Sequence, residues 1–255
     1  MKFFTVLGLS AAILTGCNGN SAAASPSNSA AASPSNSAAA SPSATILDCV
    51  TVLGELSVGG GLDDFTGAYL VNCDLSGANL GEANFSNANF SGANLSGANL
   101  FGANFTSANF TGASLMAALA FDAIFSSANL TDADLSDADL ETTDFIGANL
   151  TRANLSGTNL VYADLSDALL TDADLRQADL AAANFSGGDL VGANLRGTML
   201  GDANFTAANL TDVNMRGADL FFVNFSGADL TNADLTNVTY CNTTMPDGTE
   251  NNDNC

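Results

Sequence analysis

From Gly61 to Tyr240 a large apolar residue recurs on every fifth position without one insertion or deletion. The rule is plainest in SGANLSGANL (91–100) and TDADLSDADL (131–140). With the Leu or Phe as the centre of each pentad, centres run from 65 to 240, and Leu or Phe fills 33 of 36; Ala120, Met215 and Tyr240 are the exceptions. Two residues before the centre stands Ala in 27 pentads, and the residue just before it is usually Asn or Asp. A period of five matches neither the 3.6 of a helix nor the alternation of a strand, so the chain reads as a solenoid.

The number of pentads per turn follows from the aromatic residues. Phe occupies centres 65, 85, 105, 125, 145, 185, 205 and 225, so only Leu165 interrupts a spacing of twenty. Phe90 and Phe110 repeat that interval, as do Arg176, Arg196 and Arg216 just after their centres. Four pentads per turn stack each set in a column, which gives about nine square coils. At the inter-strand spacing of ~4.8 Å these coils make a rod of roughly 43 Å. Ala and Leu or Phe point inward and fill the axis, each large side chain contributing ~1.5–3 kcal/mol.

The pattern Ala93-Asn94-Leu95-Ser96-Gly97 resembles the pentapeptide-repeat family, over about 180 of the 255 residues. The resemblance implies an all-β fold, a right-handed quadrilateral β-helix with a turn in each pentad. It leaves the function open, because members of that family do very different things.

The remaining segments frame the repeat. Residues 1–16 carry Lys2 and the apolar run FFTVLGLSAAIL and read as a secretory signal. Leu14-Thr15-Gly16-Cys17 looks like a lipobox, in which Cys17 is acylated and becomes the new N-terminus. The alternative is a plain signal cut near Ala24. Asn18 after the anchor favours the outer membrane of a two-membrane cell, by resemblance to bacterial sorting rules. Residues 17–44 repeat SAAASPSN and carry no charge, so they read as a disordered tether with a reach of roughly 30 Å. Residues 45–60 depart from the repeat and read as an N-terminal cap; 241–255, polar and turn-rich, read as the C-terminal one.

Removing Cys17 leaves four cysteines. In an oxidising compartment the economical pairing is Cys49 with Cys73 and Cys241 with Cys255, one staple per end, since a ~43 Å rod keeps the two ends too far apart for cross-pairing. Free thiols are the alternative. With no His and no CxxC pair, the sequence offers no metal site. A net charge of −22 keeps a regular solenoid soluble and makes nucleic acid an improbable ligand.

Function therefore sits on the outside. Arg176, Arg196 and Arg216 form a column that either balances local charge, with Asp174 and Asp179 as candidates, or docks a carboxylate, phosphate or sulfated glycan. Leu119, Phe121 and Ile124 stand where neighbouring coils put polar residues, and centre 120 is only Ala. Either they project outward beside Phe101 as a contact patch, or the backbone bulges and turns Leu119 inward. Phe221, Phe222, Val161 and Tyr162 continue that side, which suggests a lateral interface with an envelope protein or a second copy of the chain. The acidic run Asp134, Asp137, Asp139, Glu141 and Asp144 lacks the spacing of a calcium loop and reads as a solvated face. The Thr column (111, 131, 151, 171, 211, 231) follows the default composition of its position.

Nothing supports catalysis or a cofactor: no Ser/His or Cys/His pair exists, no phosphate-binding Gly loop interrupts the register, and no insertion builds a cleft. Some cytosolic members of the resembled family mimic duplex DNA and bind topoisomerase. The signal, lipobox and paired cysteines point instead to a lipid-tethered, extracytoplasmic structural or protein-interaction module.

Overall fold

The computed structural model describes residues 49–56, 64–253 and 255, all within the compact unit Ala44–Cys255. The signal segment, Cys17, the tether and half of the 45–60 cap segment lie outside the described residues.

Each pentad contributes one short side of a coil. Every fifth residue from 64 to 224 pairs in parallel with the residue twenty positions on, as in Asn94 with Ser114 and Asn154 with Asp174. Four pentads therefore close one coil of a quadrilateral β-helix. The sides are called here the first (centres 65, 85, 105), second (70, 90, 110), third (75, 95, 115) and fourth (80, 100, 120) faces. Only the residue before the centre pairs on each face, because turns flank it closely on both sides.

The pentad Ala93–Gly97 shows why these residue types recur. Ala93 donates its amide to the Phe90 carbonyl across a turn (2.9 Å), Asn94 to Cys73 in the coil before (2.8 Å), and Leu95 and Gly97 to Ser114 and Met116 in the coil after (2.7 and 2.9 Å). One amide remains, that of Ser96, and it donates to Asn94 Oδ1 at 3.1 Å. The Asn or Asp before each centre is therefore the acceptor that completes the backbone, since an unpaired amide is costly. Asn adds a second service, its Nδ2 donating along the column, as Asn94 does to Asp74 Oδ1 (3.0 Å).

The turn demands positive φ at its third residue. Every such position from 67 to 242 has φ between 50° and 71°. Gly supplies some of them at no steric cost, and Asn or Asp, the residues most tolerant of this region, supply many others. Arg152, Tyr162 and Phe222 occupy the same position despite their bulk (φ 56°, 60° and 59°).

The core is a set of inward columns. Consecutive rings of the first-face Phe column lie 4.7–5.6 Å apart and near-parallel, and Phe90 stacks on Phe110 at 4.6 Å beside them. That separation is the coil step itself, so the ladder spacing and the ring spacing reinforce each other. Four Thr replace apolar residues inside, and their hydroxyls find carbonyls: Thr143 donates to Ala120 at 3.0 Å and Thr243 to Leu220 at 2.6 Å.

The ends differ from the all-β expectation. Residues Cys49–Leu56 form a helix, α1, whose Val52 is fully buried in the core cluster and whose Cys49 packs against it. A helix satisfies its own backbone, so apolar residues can be laid over a coil without offering a new edge. At the other end, β1 (Asp219–Phe221) pairs in parallel with β2 (Thr239–Cys241), and β3 (Thr243–Thr244) turns back as an antiparallel hairpin with β4 (Glu250–Asn251). The hairpin reverses the chain direction and ends the parallel ladder.

Two outcomes follow. Gly97 has φ +65° and open space where a Cβ would stand, so Gly97→Val tests the turn alone. It should cost about 1–2 kcal/mol in denaturant unfolding, with Gly97→Asn costing much less. Hydrogen bonds from Thr231 and Thr236 hold Asp229 and Asp234 below the usual carboxylate range. A depressed folded value gives stability present above the unfolded value of ~3.9 and lost as pH falls through the folded one. An Asp229→Asn/Asp234→Asn variant, which cannot titrate there, should lose less stability than the parent between pH 4.5 and 2.5; parallel pH curves would contradict this role.

Candidate functional site

Three of the four edges between faces carry Ser or Thr as the usual first residue after the centre, and the edge between the fourth and first faces does not. It reads Phe101-Gly102, Phe121-Asp122, Glu141-Thr142, Val161-Tyr162, Ala181-Ala182, Gly201-Asp202 and Phe221-Phe222 on successive coils. Rings of Phe101 and Phe121 stack 5.9 Å apart with an interplanar angle of 4°. Leu119 lies on the fourth face and Ile124 on the first, so the two flank Phe121 from either side of the edge.

The backbone stays in register there. Leu119 donates to Ala98 at 2.9 Å, pairs with Asp139 one coil on, and is 54% exposed, while Ala120 is fully buried. The local structure is therefore a patch and not a bulge. Leu119, Ile124 and Met199 share one property: each replaces the Asn or Asp whose oxygen would cap an amide. The sequence reading passed over Met199, which is 52% exposed on the fourth face; its departure from the Asn/Asp rule is the signal that finds it.

The arginine column runs along the other border of the fourth face, between it and the third. Arg176 is tied to Asp174 by three hydrogen bonds of 2.6–3.0 Å, and this guanidinium holds the Asp174 carboxyl below its ordinary range. Arg216 lies 3.8 Å from Asp234. Arg196 is exposed and forms no ion pair with any described residue. A fourth cation, Arg152, was not singled out from the sequence. On the border of the second and third faces it grips Asp132 one coil below with two bonds of 2.7 Å, and Asp132 is held low in turn. The twenty-residue spacing of Asp132, Arg152 and Asp172 is the legible signal for it.

Other surface groups are absorbed by the repeat. Asp134, Asp139 and Asp144 sit on the third, fourth and first faces, with Asp137 and Glu141 on the edges between, and no group of three metal-ligating side chains gathers among the described residues. Thr111, Thr131 and Thr211 donate their hydroxyl protons to Asn109, Asn129 and Asn209. Cys49 is bonded to Cys73, with Cα atoms 5.8 Å apart, and Cys241 to Cys255, at 4.9 Å. No described helix is long and apolar enough to cross a membrane.

Comparison with known proteins places this architecture. The family model described as pentapeptide repeats matches in eight copies, over residues 64–100, 83–119, 123–160, 158–197 and 200–237. Among solved structures, the chain is similar to HetL from Nostoc sp. strain PCC 7120, a pentapeptide repeat protein involved in heterocyst differentiation regulation. That similarity has 30% identity, covers 79% of this chain and 98% of the other, and has a TM-score of 0.43. It is also similar to QnrB1, a plasmid-mediated fluoroquinolone resistance protein (23% identity, 68% and 82% covered, TM-score 0.29). A third similarity is to a pentapeptide repeat protein of the Arabidopsis thaliana thylakoid lumen (27%, 45% and 70%, TM-score 0.28). No curated protein sequence matches the chain.

The two disulfides differ in access. Cys73 is buried, at 3% exposure, whereas Cys255 is exposed. Thiol exchange needs an approach to sulfur, so a mild reductant should open Cys241–Cys255 before Cys49–Cys73. Alkylation followed by mass spectrometry reads the order, and simultaneous or reversed opening would overturn it.

Proposed function

The chain belongs to the pentapeptide-repeat family, and from that premise we propose that it is a non-catalytic interaction module of the cell envelope, anchored by a lipid on Cys17. In this reading the uncharged tether 17–44 holds a solenoid of about nine coils clear of the membrane, capped by α1 at one end and by the β3–β4 hairpin at the other. The lipobox Leu14-Thr15-Gly16-Cys17 and the disulfide-forming cysteines support an extracytoplasmic, outer-membrane address.

The observation that carries the interaction reading is the apolar edge between the fourth and first faces. A rule that supplies Ser or Thr on three edges is broken on the fourth by Phe101 and Phe121, with Leu119 and Ile124 beside them, and again by Phe221 and Phe222 about five coils on. Clustered exposed apolar side chains rimmed by polar ones mark a contact surface. The partner is an envelope protein or a second copy of this chain.

The test has two arms in intact cells. Labelling with a palmitate analogue should mark Cys17 and place the protein in the membrane fraction; an unlabelled cytosolic product would instead favour a topoisomerase-binding role. A photo-crosslinker at Phe121 should give discrete adducts that Phe101→Ser and Phe221→Ser reduce, and one at Ser166, about two coils from Phe121 on another edge, should not. Equal adducts at both positions would remove the basis for this interface.

A further inference from the structure

The fourth face is bordered on one side by the arginine column and on the other by Phe221 and Phe222. The face between them alternates Asp179, Met199 and Asp219 on successive coils, each paired with the next. We propose that this strip binds an acidic glycan, a chain of pyranose rings bearing carboxylate or sulfate groups.

The argument begins with Arg196. On a chain with 27 acidic and 5 basic residues, an exposed guanidinium without an ion pair among the described residues is unusual. Its surroundings explain the lack: the preceding face offers Asn194 where Arg176 has Asp174, and its own coil continues with Gly197 and Met199. Arg216 is only loosely engaged, 3.8 Å from Asp234. Arg196 and Arg216 stand at the same position of neighbouring coils, a backbone step of ~4.8 Å, so their long side chains can share one anion, and guanidinium geometry suits a carboxylate or sulfate. Gly197 and Gly217 leave the floor open, since a Cβ on either would meet nothing within 4 Å.

The rest of the strip selects among anions. Asp179 and Asp219 each spend Oδ1 on the amide two residues on, at 3.2 and 3.3 Å, and lie part-buried on the face. A duplex DNA backbone has no free sugar hydroxyl to donate to these carboxylates, which disfavours it, and the charges interrupt any path for an acyl chain, which disfavours a lipid. Carboxylates are good acceptors for sugar hydroxyls. Met199 and Phe222, exposed at 52% and 55%, offer apolar contact to the C–H faces of a ring. Acid group, hydroxyls and ring face thus each meet a matching side chain on one face. The distant carboxylates of this acidic chain are muted at physiological ionic strength, where the screening length is ~8 Å.

The full chain should be titrated calorimetrically with polygalacturonate, with its carboxyl-reduced polymer, with duplex DNA and with anionic phospholipid vesicles. Binding is expected for polygalacturonate, weakening with added salt, and not for the reduced polymer. Arg196→Gln and Phe222→Ser should each weaken it, the former by roughly tenfold or more, the loss of one charge-assisted hydrogen bond. Arg196 makes no ion pair among the described residues, so its variant should keep the parent melting midpoint and report binding alone. Absence of binding, equal binding of the reduced polymer, unchanged affinity in Arg196→Gln, or tighter binding of DNA or vesicles would each overturn the proposal. The Phe121 crosslinking result is independent, so failure here leaves the protein interface standing.

Discussion

The structure depends on one hydrogen bond repeated down the chain: the Asn or Asp before each centre accepts the amide two residues later. A five-residue unit has five amides, and coil-to-coil pairing plus the turn engages four of them, as Ala93–Gly97 shows. The fifth points where no carbonyl reaches. A short side-chain acceptor two residues back closes the set without leaving the pentad. Removing that acceptor exposes a backbone polar group, which is why the position tolerates so little variety.

That constraint also explains where the departures lie. Leu119, Ile124 and Met199 give up the acceptor and present an exposed apolar side chain in its place. All three lie on or beside the fourth face, whose borders carry the stacked Phe101 and Phe121 on one side and the arginine column on the other. The core has an asymmetry of its own, with Phe centres on the first and second faces only, but it is buried and apolar on all four sides. What distinguishes this solenoid from a uniform one is therefore its surface, where the fourth face and its borders gather three of these departures and the second face carries two more, Tyr69 and Leu169.

Much of this was legible in the residues. The spacing of twenty in the Phe centres gives the coil, and rings 4.7–5.6 Å apart in those columns are its direct expression. Phe101 beside Phe121 follows from the same count. The helix Cys49–Leu56 was not legible, because eight apolar-rich residues carry no period long enough to separate helix from irregular cap. Arg152 escaped notice for a different reason: its partner Asp132 is twenty residues away, and only the column view makes them neighbours.

The sequence alone determined the coil and the inward columns, because each is a local rule applied in every pentad without interruption. Tertiary structure decided three things that no single pentad contains. It set Leu119 outward in unbroken register, left Arg196 unpaired among the described residues between an engaged Arg176 and a loosely held Arg216, and placed a helix before the repeat and an antiparallel hairpin after it. These depend on which side chains meet across coils and at the termini, where the repeat has no neighbour to dictate the answer.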